Sequence, residues 1–194
     1  MMRAKKGGRD MPLVIPYDRQ AAVAYAHKWA YGRNPAFYDY EKLGGDCTNF
    51  ASQCLYAGTG IMNFTPTFGW YYRSPNDKAP AWTGVPYFRN FIIRQEPSQG
   101  PFGVEASLQE MEIGDFVQLR FPNRDVFSHT PVIVRVGSPP TLENTLIAAH
   151  SYDADYRPLS SYTFQEIRFL HILGAYPPAG QPVRPNIGLV GVGF

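Results

Sequence analysis

Apolar side chains recur at three- and four-residue spacing in the first third of the chain and at closer, strand-like spacing in the second half. Residues 18–31 carry Ala21, Ala22, Val23, Ala24, Ala26, Trp29 and Ala30 behind an aspartate, which predicts a helix capped by Asp18. Phe50, Ala51, Cys54 and Leu55 form one buried face of a second helix, which begins at Cys47 behind Asp46. Tyr87, Phe88, Phe91 and Ile92 predict a short third helix within residues 85–95. The intervening residues 58–86 are rich in Gly, Pro, Asn and aromatics without a steady period, and read as long surface loops that wall a groove. Residues 115–121, 128–136, 145–151 and 165–172 are short runs of Val, Ile, Phe and Leu separated by turn residues, hence strands. Helices first and strands afterwards predict an α+β fold, N-terminal helices packed on a C-terminal antiparallel sheet.

A chain of 194 residues with 44% hydrophobic composition can bury one core, and no composition break marks a second. The expected division is a basic arm over residues 1–17, a domain over 18–173 and a Pro/Gly-rich tail over 174–194. A formal charge of +2 lacks the basic field of a general nucleic-acid binder. Arg3, Lys5, Lys6 and Arg9 alone form a basic run. No apolar stretch approaches the ~18 residues of a membrane span. The first thirty residues lack a signal peptide, so the expected location is cytoplasmic, or the cell exterior and wall if a leader has been removed.

Gly44, Gly45 and Asp46 deliver Cys47 to the first turn of its helix. Unpaired N–H groups and the positive end of the helix dipole there favour a thiolate, and can lower a thiol from ~8.5 towards 3.5–7.5. The same N–H groups suit an oxyanion. Cys54, two turns on, reads as inert core. Seven residues of helix separate the sulfurs by about 10 Å along the axis, so both thiols are expected to be free.

A thiol nucleophile needs a base, and that base needs a polar group to fix its tautomer. Residues 127–136 and 145–151 flank a connection containing Pro139 and Pro140; a turn centred between these prolines sets His129 opposite His150, with Cβ atoms ~4.5–5.5 Å apart. A slip of one residue would send the two rings to opposite faces. Pro131 belongs at a strand start, an edge or a bulge. Cys47, His129 and His150 supply nucleophile, base and third member, with Asp153 the rival third member. His27 and His171 read as structural. Cys47, His129, His150 and Asp153 also offer a mixed zinc donor set, but no short ligand pair supports it, and no metal or cofactor is expected.

The blocks Gly-Gly-Asp-Cys-Thr-Asn-Phe-Ala-Ser-Gln (44–53), Gly-Trp-Tyr-Tyr-Arg-Ser (69–74), Ala-Trp-Thr-Gly-Val (81–85), Ser-His-Thr (128–130), Ala-Ala-His-Ser-Tyr-Asp (148–153) and Arg-Pro-Leu-Ser-Ser-Tyr (157–162) resemble the putative amidase domain family. That family is similar to papain-like cysteine hydrolases of the NlpC and CHAP type. The resemblance implies a papain-like fold, a bacterial source, Cys47 as nucleophile, His129 as base, His150 as third member, and a peptide amide substrate such as a peptidoglycan stem peptide. The Cys47 N–H would hold the oxyanion; Asp46 supports it by capping, and Tyr38, Tyr40 and Asn34 are candidates for the second donor by order alone. Pro131 departs from the aliphatic residues usual after the base. The rival reading is a non-catalytic module that uses the same scaffold and its aromatic loops to bind wall glycan or a protein.

Overall fold

The computed structural model describes residues 13–96 and 98–178. Helix α1 spans Arg19–Trp29, with the Asp18 carboxylate accepting from the Ala21 N–H at 2.9 Å as a first-turn cap. Helix α2 spans Cys47–Thr59 and ends on Gly60 in the left-handed region. Strands β1 (Tyr72–Ser74) and β2 (Asp77–Lys78) form a small hairpin. Helix α3 (Pro80–Thr83) leads directly into α4 (Val85–Ile92). The stretch read as loop alone thus folds into a hairpin and a helical turn, because Trp70 and Trp82 bury completely and draw it into the core.

The remaining chain supplies β3 (Gly100–Ala106), β4 (Phe116–Arg120), β5 (Val132–Arg135), β6 (Leu146–Ala149), β7 (Ala154–Pro158) and β8 (Glu166–Tyr176). They form one antiparallel sheet in the order β3-β8-β4-β5-β6-β7. The four central strands match the apolar runs. The two edges, β3 and β7, escape the pattern because Pro101 and Gly103 interrupt the first, while Asp155, Tyr156 and Arg157 make the second polar. Both sheet faces are covered. Phe116, Val132, Val134, Ala148 and Leu170 pack with Phe50, Ala51, Cys54 and Leu55 of α2, while Val117, Leu119, Ile133, Ile147 and Leu159 form a second cluster. Burial on two sides explains why the strands read as nearly continuous apolar runs.

Strand β8 continues to Tyr176, three residues past the expected end of the domain, and Ile15 bridges Ala175 ahead of its expected start. The basic run at residues 3–9 and the tail from 179 onward lie outside the described residues. Among the described residues no helix is long and apolar enough to cross a membrane.

Candidate active site

Two consecutive glycines bring the chain to Cys47. Gly44 and Gly45 have φ of +108° and +109°, values that side chains rarely adopt, and a Cβ on Gly45 would press on Ser151 Oγ at 3.1 Å. Asp46 follows, fully buried, but its carboxylate does not cap α2 as expected. Oδ1 instead accepts from the Tyr40 N–H at 2.9 Å and from Asn49 Nδ2 at 2.8 Å, and Oδ2 lies 2.6 Å from His150 Nδ1. The first-turn N–H groups of α2 are therefore left without a side-chain cap.

His150 is buried, stacked on Phe50 with centroids 4.0 Å apart, and its Nε2 donates to the Trp29 carbonyl at 2.9 Å. A carbonyl only accepts, so Nε2 carries the hydrogen it shares with Trp29, while Nδ1 faces the Asp46 carboxyl group. The ring is a buried brace between α1, the Asp46 turn and the end of β6. It does not face His129: β5 pairs with β6 as Val132↔Ala148 and Ile133↔Ile147, one residue off the register that a turn between Pro139 and Pro140 would impose. Beside the connection, where Asn144 Nδ2 donates to the Pro139 carbonyl, Arg135 pairs with Leu146, and an irregularity between Ile133 and Arg135 then shifts the register to the observed one. That one-residue slip sends the two imidazoles to different surroundings.

His129 lies just before β5, where it forms an isolated bridge with Leu119; Pro131 sits at the strand entrance, its carbonyl accepting from the Val117 N–H. Its side chain and that of Cys47 line one cleft of about 650 Å³ with Glu41, Ser128, Ser151 and Tyr162. Cys47 is 7% exposed, enough for the sulfur to form part of the cleft wall. Its Sγ lies 3.9 Å from the Ser128 carbonyl and 3.8 Å from Thr48 Oγ1, and makes no hydrogen bond to either imidazole.

The protonation balance runs opposite to the sequence expectation. Burial pushes the Cys47 thiol up, only partly offset by N–H groups of Thr130 and Thr48. Burial, and secondarily the Arg157 charge, push the His129 imidazole down to about 4. Desolvation outweighs the helix end because both groups give up water before any substrate replaces it. The resting pair is a neutral thiol beside a neutral imidazole.

Behind the thiol runs a buried polar chain. Thr48 Oγ1 lies 3.1 Å from Thr130 Oγ1, Gln118 Nε2 donates to the Val85 carbonyl and reaches Thr130, and Arg168 donates to Gln118 Oε1 at 2.9 Å. It ties α2, β4 and β8 together beneath the cleft floor.

The other candidates lie elsewhere. Asp153 pairs through both oxygens with Arg33, at 2.9 and 3.0 Å. Tyr38 and Tyr40 pack edge to face, their centroids 5.0 Å apart; Tyr38 belongs to a separate shallow groove and the Tyr40 hydroxyl reaches the Pro75 carbonyl. Asn34 donates to the Tyr25 hydroxyl. His27 meets Asp155, and His171 meets Asp115. Both cysteines are free, with Cys54 fully buried in the core. Since His150 is held by Asp46 and Trp29, and Asp153 by Arg33, the zinc donor set does not converge; no group of three metal-ligating side chains forms among the described residues.

Tyr162 was not a candidate from the sequence, although it closes the block 157–162. Its hydroxyl lies 3.3 Å from His129 Nε2.

A thiol and an imidazole thus share one open cleft on an α+β scaffold. The chain matches the family described as "Putative amidase domain" over residues 16–173 and belongs to it. It is 32% identical over 168 residues to an uncharacterized protein, YhbB, of Bacillus subtilis (strain 168), an alignment covering 81% of this chain and 50% of that protein. The chain thus spans about half the length of the curated relative it matches. No solved structure matches it.

Proposed function

We propose that the protein is a cysteine-dependent amide hydrolase whose nucleophile is Cys47 and whose base is His129. The observation that carries this reading is the meeting of these two side chains, from α2 and the β5 entrance, in one cleft. Its size falls within the ~300–1,000 Å³ usual for ligand sites.

With a neutral resting pair, the thiol proton passes to His129 as the sulfur attacks the amide carbonyl. The uncapped N–H groups opening α2 receive the oxyanion. Collapse expels the amine, which takes the proton from His129, and leaves a thioester. Water, deprotonated by His129, then attacks the thioester and releases the acid and the Cys47 thiol. The sulfur and imidazole are not hydrogen-bonded at rest, so substrate binding must close that gap, as catalytic contacts often tighten only once substrate is seated. His150 and Asp46 serve this reading as the brace for the Cys47 turn.

The substrate class we assign is a peptide amide, with peptidoglycan stem peptides of a bacterial wall the first choice. Incubation of wild type and Cys47→Ala with purified peptidoglycan and with peptide amides tests the mechanism. New amino groups are expected from the wild type and a loss of at least about 10³-fold from the variant; equal release by both overturns the mechanism. The missing sulfur-to-imidazole hydrogen bond favours one alternative, a module that binds a peptide or wall glycan without cleaving it. Retention on peptidoglycan by both proteins, with no new amines from either, would select that alternative.

A further inference from the structure

Resting on the proposed reading of the cleft, we infer that Tyr162, clamped by Arg157, is the positioning residue that fixes the His129 tautomer, the part the sequence assigns to His150. Tyr162 and His129 face each other in the Cys47 cleft, with ring centroids 5.5 Å apart and the hydroxyl 3.3 Å from Nε2. Phe121 completes an aromatic trio, at 6.0 Å from His129 and 6.3 Å from Tyr162. The ring of Tyr162 is itself pinned. The Arg157 guanidinium carbon lies 3.7 Å from its centroid, and Arg157 Nε donates to Ser161 Oγ at 2.8 Å, so β7 and the turn after it hold the tyrosine in place.

The chemistry then selects one tautomer. A base that takes the thiol proton needs one bare nitrogen and one protonated nitrogen. With Nε2–H donating to the tyrosine oxygen, Nδ1 is bare and the phenolic proton turns to the cleft. The reverse bond, hydroxyl to Nε2, would leave Nδ1 protonated and unable to serve. Arg157 favours the productive arrangement in two ways. Its charge opposes a second proton on His129, and its place over the ring holds the phenol where Nε2–H can reach it. A neutral phenol, unlike a carboxylate, gives the imidazolium no counter-charge. The device therefore orients the base without raising its proton affinity.

Among the described residues, the titratable or charged side chains around His129 are Tyr162 and Arg157 from the β7 region, Cys47 from α2, and Glu41, Arg124 and Tyr152 from the cleft rim. His150 is turned away into its own brace.

Nitrogen NMR of the ring atoms reads the tautomer directly, and four histidines make the spectrum tractable. The His129 signals are assigned by their loss in His129→Gln. In wild type between pH 6 and 8 we expect His129 as the Nε2–H form. In Tyr162→Phe, which keeps the ring and removes the hydroxyl, we expect a mixture with the Nδ1–H form and a fall in turnover at constant KM. In Arg157→Gln we expect the apparent His129 pKa to rise by at least half a unit. Circular dichroism and the unchanged His150 signals check that each variant is folded. An unchanged His129 tautomer in folded Tyr162→Phe overturns the inference, as does an unchanged His129 pKa in folded Arg157→Gln. The tautomer is read without substrate, so failure of the hydrolase reading is a separate result: equal hydrolysis by Cys47→Ala with the NMR outcome intact.

Discussion

At the residue scale, the notable side chain is a histidine buried without a counter-charge. His129 is 4% exposed and its imidazole titrates near 4 in the fold, against 6.5 in the unfolded chain. The unfolded state therefore takes up the proton first. Stability is full above 6.5, falls as pH drops from there towards 4, and loses roughly 3 kcal/mol over that window from this one ring. Urea denaturation of the wild type and His129→Gln at pH 7.5, 6 and 4.5 checks the sign. The wild type should lose more stability than the variant on acidification, by up to about 3 kcal/mol. Equal losses would show that His129 titrates normally. Hydrolysis, which requires the neutral imidazole, should hold level through pH 5.5, where an ordinary histidine is mostly charged.

The same residues show what the sequence made legible. The place of Cys47 at a helix start was visible because its lead-in is local: two glycines, an aspartate and the helical period occupy adjacent positions. His129 was visible by its neighbours and its strand. The places of Asp46, His150 and Tyr162 were not, because each rests on long-range contacts: the pairing of Asp46 with His150, the register across β5 and β6, and the turn after β7 that holds Tyr162. A slip of one residue moves His150 from a triad to a brace, and Tyr162 lies 33 residues from the ring it touches.

At the element scale, the start of α2 is held from outside rather than by its own cap. His150 joins the Asp46 carboxylate to the Trp29 carbonyl, Asp46 N–H donates to Ser151 Oγ at 2.8 Å, and Arg33 Nε lies 3.8 Å from Asp46. Removing one member of so buried a pair strands the other. His150→Ala should cost about 3–5 kcal/mol in urea denaturation, and Asp46→Asn somewhat less because the amide still fits. Both should lower turnover by loosening the Cys47 turn. A His150→Ala protein of wild-type stability would show that the pair does not brace the helix. The helices were legible for the converse reason: α1 and α2 bury one stripe each, and a 3.6-residue period survives in sequence, whereas the edge strands β3 and β7 carry no period because only one flank of each is paired.

At the scale of the whole molecule, the first and last described segments close the sheet together. Ile15 and Ala175 exchange two backbone hydrogen bonds, of 2.8 and 2.9 Å, and Gly100, Pro101 and Phe102 pair with Tyr176, Ala175 and Gly174. Phe102 also stacks on Tyr176 at 4.3 Å. A chain trimmed to residues 18–173, close to the extent of the family match, loses all of these and should be less stable by roughly 2–4 kcal/mol. Thermal melting of the trimmed and full chains decides it, and equal midpoints would show that these ends add nothing. Composition and segment order had made the α+β class readable, but not this closure, since Pro177, Pro178 and the glycines around them obscure a strand that runs to Tyr176.

The central claim is a covalent step on Cys47. Acid-quenched samples taken during turnover of a peptide amide, digested and weighed by mass spectrometry, report it directly. The account predicts that the peptide containing Cys47 gains the mass of the substrate acyl group, and loses that gain with hydroxylamine, as a thioester must. Turnover of the amide with Cys47 unmodified at every time, and undiminished in Cys47→Ala, would contradict it.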